Sequence, residues 1–146
     1  MELTTSVDPS LSVYGLGEHK APLLKNRSVK EGNNFILFAR DRGTPEHNVE
    51  GDTNLYGSHP VWYGVDKTGS MFGVLMLNAN GMDVGVFADA IQYRMIGGVI
   101  DLLFFLGPTP ADVLDQYTQA VGRPLMVPYW SLGAMLCRWG YKVREV

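Results

Sequence analysis

Val61-Trp62-Tyr63-Gly64-Val65-Asp66-Lys67-Thr68-Gly69-Ser70-Met71-Phe72-Gly73-Val74-Leu75-Met76-Leu77 is the stretch on which the reading of the fold turns. Residues 61–65 and 71–77 are runs of β-branched, aromatic and aliphatic side chains. Between them Asp66 to Ser70 is a short joint of turn-forming residues. Two strand-sized runs joined in this way predict a β-hairpin.

Working outward, the same grammar repeats. Val13 to Gly17 is an extended, glycine-interrupted stretch, and Asn34 to Ala39 reads as a strand. Met82 to Phe87 and Gln92 to Ile96 read as a second pair. Gly97-Gly98 is a turn or bulge, and Val99 to Leu106 is a strongly apolar strand. Strand starts spaced by roughly ten residues, with turn signals between them, predict an antiparallel sandwich. Arg40 to Thr53 is rich in charge, Gly and Asn, and reads as a long loop of the kind that is functional or disordered.

The pattern changes at Gly107-Pro108-Thr109-Pro110. Thr109 suits a helix N-cap, Pro110 the first helical position, and Asp112 lies three residues after the cap. Val113, Leu114, Tyr117, Ala120 and Val121 recur at helical spacing, and Gly122 stops the helix. Arg123 to Pro128 is a proline-bounded connector. Trp130 to Leu136 restarts an apolar extended segment, which predicts that a further domain follows.

Composition bounds the class. Of 146 residues, 46% are hydrophobic and 18% charged, as in an ordinary globular domain rather than a disordered chain. The formal net charge is −3 and basic residues do not cluster, so there is no footprint for a nucleic-acid backbone. No apolar run reaches membrane-spanning length. The first residues lack the basic and apolar regions of a signal peptide. There is no internal repeat. The lone Cys137, among Met135 and Leu136, is expected to be an inert buried thiol. Asn26-Arg27-Ser28 has the form of an N-glycosylation acceptor.

The chemistry on offer is limited. His19, His47 and His59 lie far apart and show no metal-ligand spacing, so no metal site is expected. Gly15-Leu16-Gly17 lacks the third glycine and the helix of a dinucleotide site. Asp41, Glu46, Glu50 and Asp52 crowd the long loop. Glycoside hydrolysis needs two carboxylates facing each other across the bond, about 5 Å apart when configuration is retained. A loop alone does not hold such a pair to that tolerance, so a solvated polar loop is the better reading. Aromatic rings can stack on sugars. Trp62, Tyr63 and Trp130 nonetheless read as core, whereas Trp139, beside Arg138 and Gly140, is open between core and ligand wall.

Several blocks together resemble family 31 glycoside hydrolases of the maltase, sucrase-isomaltase and lysosomal α-glucosidase branch, more than the α-xylosidases. They are Tyr14 to His19 (YGLGEH), Ala39-Arg40-Asp41, Asn54 to Pro60 (NLYGSHP), Leu75 to Val84 (LMLNANGMDV), Gly97 to Asp101 (GGVID), Leu106 to Pro110 (LGPTP), Gln116 to Pro124, and Pro128 to Tyr141. They occur in the family's order from about residue 13 to residue 141.

The resemblance implies a mainly β fold: an incomplete antiparallel sandwich of the galactose mutarotase-like kind over 1–108, a helix and linker over 109–128, and the start of a (β/α)8 barrel over 129–146. Leu132 to Cys137 would be the first barrel strand. It implies an activity, retaining hydrolysis of terminal α-linked glucose from maltose-like oligosaccharides, without metal or other cofactor. It implies substrate contacts from Asp41, Arg138 and Trp139, with Thr44 a weaker candidate. The family's nucleophile and general acid belong to later barrel strands, so no catalytic residue is assigned here and the chain by itself is expected to be inactive. The partners implied are an α-glucoside oligosaccharide and the remainder of the barrel, in a secretory or lysosomal setting. A non-catalytic carbohydrate-binding or assembly module is the alternative. The resemblance also implies that the chain is short at both ends.

Overall fold

The computed structural model describes residues 1–27, 33–39 and 54–137. Among these residues, eight strands form two four-stranded antiparallel sheets. They are β1 (Glu2–Ser6), β2 (Ser12–His19), β3 (Asn33–Leu37), β4 (Asn54–Val65), β5 (Met71–Met76), β6 (Met82–Val86), β7 (Ala90–Met95) and β8 (Leu102–Phe105). One sheet has the order β1-β7-β6-β3, the other β2-β4-β5-β8. The helix α1 (Pro110–Val121) follows. The expected sandwich and its single helix are both present.

The hairpin of β4 and β5 is in place, with Val65 opposite Met71 and Val61 opposite Leu75. Its joint is held by the Asp66 carboxylate, which accepts from the amides of Thr68 (2.8 Å) and Ser70 (3.0 Å) and from the Thr68 hydroxyl. These bonds, led by the one from the Thr68 hydroxyl, hold the Asp66 carboxyl below the usual range.

Alternation along the strands sorts side chains into two layers. Val13, Trp62, Val74, Met76, Val84, Ile91 and Tyr93 face inward between the sheets. Trp62 is only 4% exposed, and its Nε1 donates to Tyr93 Oη at 2.7 Å, which satisfies both polar atoms inside the core. Val61, Leu75 and Phe105 point to the other side of the second sheet, where Val113 of α1 covers them. The sandwich therefore carries a third layer. Val113 fits because position 73 is glycine: a Cβ there would come within 2.9 Å of Val113 Cγ1.

The helix starts as its residues predict. The Thr109 side chain accepts from the Asp112 amide at 3.2 Å, while the Asp112 carboxylate accepts from the Thr109 amide at 3.1 Å, a capping box. Only Val113 of the expected apolar stripe is buried; Leu114 and Val121 are exposed. A single helix lying on the outer face of a sheet needs a narrow stripe, and its far side faces solvent.

Four features differ from the sequence reading. Glu2–Ser6 is a strand with one aliphatic residue in five; edge pairing with β7 explains why so little hydrophobicity suffices. Only Leu102–Phe105 of the apolar run 99–106 pairs; Val99 to Asp101 carry the chain from one sheet to the other. Trp130, expected in the core, is 72% exposed and lies in a 3-10 turn, Tyr129–Leu132. Residues 133–137 are irregular and Cys137 is exposed. A strand forms only beside a partner, and residues 133–137 pair with neither sheet.

Candidate functional site: the base of the 40–53 segment

The three residues expected to touch substrate, Asp41, Arg138 and Trp139, lie outside the described residues, as does Thr44. What the structure defines is the ground on which the segment bearing Asp41 stands. In the sequence that segment lies between β3 and β4.

Its two feet are tied together. Asn54 Nδ2 donates to the Phe38 carbonyl at 2.7 Å, joining the residues on either side of it. The side chain is buried, and its Oδ1 has no partner among the described residues. His19, opposite Asn54 in the β2–β4 ladder, spans from β2 to β3: Nδ1 lies 2.9 Å from the Leu16 carbonyl and Nε2 2.6 Å from the Ile36 carbonyl. The His19 ring also meets Phe35 edge-on, with centroids 5.6 Å apart. Glu18, the neighbouring residue, accepts from the Gly57 amide at 2.6 Å. The block Tyr14 to His19 thus acts through its last two residues as a brace for β3 and β4.

The brace requires a distorted β2. The β2–β4 register shifts between Gly15 and Gly17 and again between Gly17 and His19. Gly15 has φ +106°, and a Cβ at this position would lie 2.6 Å from the Val61 carbonyl oxygen. Only glycine combines that dihedral with so close an approach. At these two shifts the extra residues lie on β4, where 60–61 face Leu16 and 55–58 face Glu18, so Glu18 and His19 stand where the pairing is irregular.

A second anchor joins β4 to α1. His59 Nε2 and Tyr117 Oη are 3.0 Å apart, their rings meet edge-on, and Phe105 packs against the same tyrosine. Burial pushes the His59 imidazole below its ordinary value. Burial, with Tyr117 adding to it, pushes the Tyr63 phenol up.

Composition gave no sign of the most heavily bonded polar side chain among the described residues. Arg27, read from sequence only as the middle of a glycosylation acceptor, donates to five main-chain carbonyls: Val7, Asp8, Leu11, Phe87 and Ala88. It ties the β1–β2 connection to the β6–β7 turn at one end of the sandwich. Among the described residues no group of three or more His, Cys, Asp or Glu is placed to hold a metal ion. No described helix is long and apolar enough to cross a membrane.

Comparison with known proteins agrees with this architecture. Residues 1–84 match the family described as the glycosyl hydrolase 31 N-terminal galactose mutarotase-like domain. Lysosomal alpha-glucosidase of Rattus norvegicus is 44% identical over 151 residues, covering all of this chain and 15% of that protein. Alpha-xylosidase 1 of Arabidopsis thaliana is 42% identical over 144 residues, covering 97% of this chain and 15% of that protein. Identity in this stretch is thus alike for a glucosidase and a xylosidase. The solved family 31 alpha-glucosidase from Bacteroides thetaiotaomicron superposes with a TM-score of 0.79 at 27% identity, covering 97% of this chain and 23% of that one. The chain spans about 15% of the length of the curated relatives it matches. With two braced antiparallel sheets and a family match over more than half its residues, the chain belongs to the glycosyl hydrolase 31 family, as its N-terminal galactose mutarotase-like domain.

Proposed function

We propose that this chain is the sandwich part of a retaining α-glucosidase acting on terminal α-linked glucose of maltose-like oligosaccharides. Its role is to hold one wall of the substrate pocket. In this reading Asp41 hydrogen-bonds sugar hydroxyls, and Arg138 and Trp139 stand at the mouth of the first strand of a (β/α)8 barrel. That barrel begins near residue 129, after the helix and linker of 109–128, and its later strands supply the chemistry. One carboxylate attacks the anomeric carbon while an acid protonates the leaving oxygen; water then releases the sugar with retained configuration.

The observation that carries the reading is the brace under the 40–53 segment. Asn54, His19 and Glu18 fix both of its feet against β2, β3 and β4. A segment that only filled space would need no such footing, whereas one that places a carboxylate on a sugar does. The test is an assay of the purified chain with a fluorogenic α-glucoside, beside a calorimetric titration with maltose. No turnover and no binding is the expected result, because the sugar is enclosed only when the barrel is present. Turnover above the blank would place catalytic acids within these residues and overturn the proposal. Maltose binding at millimolar or tighter affinity without turnover would instead mark a carbohydrate-binding module.

A further inference from the structure

Two of the crossings between the sheets lie together at one end of the sandwich. Residues 77–81 carry the chain from β5 to β6, and residues 96–101 from β7 to β8. These two arches are joined by two main-chain bonds, Leu77 to Asp101 and Ile96 to Gly81, and by the side chain of Asn78. Asn78 Nδ2 donates to the carbonyls of Gly97 and Val99, both at 3.0 Å, and contacts Met95 Sδ at 3.4 Å. Asn78 Oδ1 in turn accepts from the amide of Asn80 at 2.9 Å and from Asn80 Nδ2 at 3.0 Å. The second arch presses close: a Cβ on Gly98, whose φ is +86°, would lie 2.6 Å from Nδ2 of both asparagines.

Asn80 is followed by Gly81, and this is the sole Asn-Gly pair in the sequence. An Asn-Gly pair between strands ordinarily signals a hairpin turn. Here β5 and β6 lie in different sheets, so the pair serves an arch, and the hydrogen bonds of a hairpin ladder do not surround it. The Gly81 carbonyl accepts from Ile96 at 3.2 Å, whereas its amide takes no part in the bonds that tie the arches. Glycine leaves that amide without the steric shield a side chain would give. Gly81 also borders an open groove of about 790 Å3 shared with Phe38 and Ile96, so water reaches the junction.

We propose that Asn80–Gly81 is a site of spontaneous covalent modification, a deamidation junction built into the arch. The Gly81 nitrogen attacks Cγ of Asn80. A new N–Cγ bond forms, the Cγ–Nδ2 bond breaks, and Nδ2 departs as ammonia carrying the proton given up by the Gly81 amide. Water then adds to one of the two carbonyls of the succinimide ring and opens it. One opening gives aspartate and the other isoaspartate, whose main chain runs through the former side chain. The net change is one water consumed and one ammonia released, with no oxidant or reductant.

Neither product can replace the original bond. Asn80 Nδ2 is a donor to Asn78 Oδ1, and a carboxylate oxygen in its place is a second acceptor facing an acceptor. Isoaspartate also lengthens the backbone of an arch that has no slack, since Asn78 must still reach Gly97 and Val99. Modification at residue 80 therefore loosens both crossings together. Asn78 and Asn54 are followed by Ala79 and Leu55, whose side chains shield the attacking amide, so the reaction is confined to the one pair.

The test is to age the purified folded chain in mildly alkaline buffer below its melting transition, beside a sample in urea. Peptide mapping by mass spectrometry, with enzymatic methyl labelling of isoaspartate, reads each asparagine. The expected result is conversion at residue 80 in the folded sample at least an order of magnitude faster than at Asn26, Asn34, Asn54 or Asn78. Asn80→Gln should abolish it, as should Gly81→Ala if that variant folds against Phe38. Asn80→Asp, which mimics one product, should melt several degrees below the parent chain. An intact amide at residue 80 in the folded sample, while the urea sample converts, would overturn the proposal. An unchanged melting temperature for Asn80→Asp would overturn the claim that the arches loosen.

Discussion

Removing the Arg27 guanidinium should unlatch one end of the sandwich. Its five acceptors belong to two connections: Val7, Asp8 and Leu11 between β1 and β2, Phe87 and Ala88 between β6 and β7. In Arg27→Ala the carbonyls of Asp8 and Ala88, which are at the surface, regain water at little cost. The carbonyls of Val7, Leu11 and Phe87 are partly buried. At about 1 kcal/mol for each partner lost there, the variant should be about 2–4 kcal/mol less stable. That corresponds to a melting temperature about 10 °C lower for a domain of this size. Desolvation holds the Arg27 guanidinium below its ordinary value, so some of the burial cost is recovered on truncation, and the lower half of the range is the better expectation. Arg27→Lys separates charge from geometry. An ammonium has three donors on one atom and cannot span two connections in the way a planar fork does, so lysine should recover less than half of the loss. Thermal melting followed by circular dichroism reads all three proteins. An Arg27→Ala melt within about 2 °C of the parent would refute the latch, as would full recovery by lysine.

The His59–Tyr117 anchor should respond to acid. Burial lowers the folded-state value of His59, so protonation favours the unfolded chain: the contribution is full above about pH 6.5 and is lost as pH falls below it toward the lowered folded value. Melting temperature against pH should show this slope, and His59→Gln should flatten it. Trp62→Phe deletes the donor to Tyr93 Oη inside the core and should cost about 1–3 kcal/mol by urea denaturation. It should also raise the Tyr93 phenol further, because burial already holds it at about 12 and the tryptophan bond works in the opposite direction. Val113→Ala opens a void between α1 and β5 and should cost about 2 kcal/mol in the same assay, with the loss of helical signal preceding that of the sheets. Asn54→Ala should be nearly neutral in stability, within about 1 kcal/mol, because it removes one hydrogen bond and one unpartnered buried oxygen together. In a longer enzyme carrying this stretch it should still raise KM for maltose, and an unchanged KM would show that the tie plays no part in substrate binding.

How much could be read from the residues alone depended on the range of the interaction. The β4–β5 hairpin, the β6–β7 pair and the capping box of α1 are local: Val65 meets Met71, Val86 meets Ile91 and Thr109 meets Asp112 within a few positions. Periodicity and turn chemistry record such contacts directly. β1 escaped because an edge strand with one face in water needs little more than Leu3 to hold its place, and its partner β7 lies about ninety residues away. Trp130 was misjudged for a related reason. Aromatic content reports that a ring can be buried, but burial needs a neighbour, and no described residue buries this one.

The polar framework is the least legible part, and the reason is physical. Arg27, Asn54 and Asn78 act mainly on main-chain carbonyls rather than on complementary side chains. A carbonyl is present at every residue, so its partner leaves no trace in the sequence. His19 illustrates the consequence. Its ring bridges Leu16 and Ile36 through their carbonyls, and any pair of residues at those positions would serve equally well. The block Tyr14 to His19 can therefore be recognised as a motif while its task stays hidden, since the motif contains only one side of each hydrogen bond to β3 and β4. The glycines at 15 and 17 are the one local clue, because they sit where the β2–β4 register shifts and the side chains beside them take other partners. Here they hold β3 and β4 beside the residues that flank 40–53, so the irregular β2–β4 pairing and the ties at Phe38 and Asn54 form one structural feature.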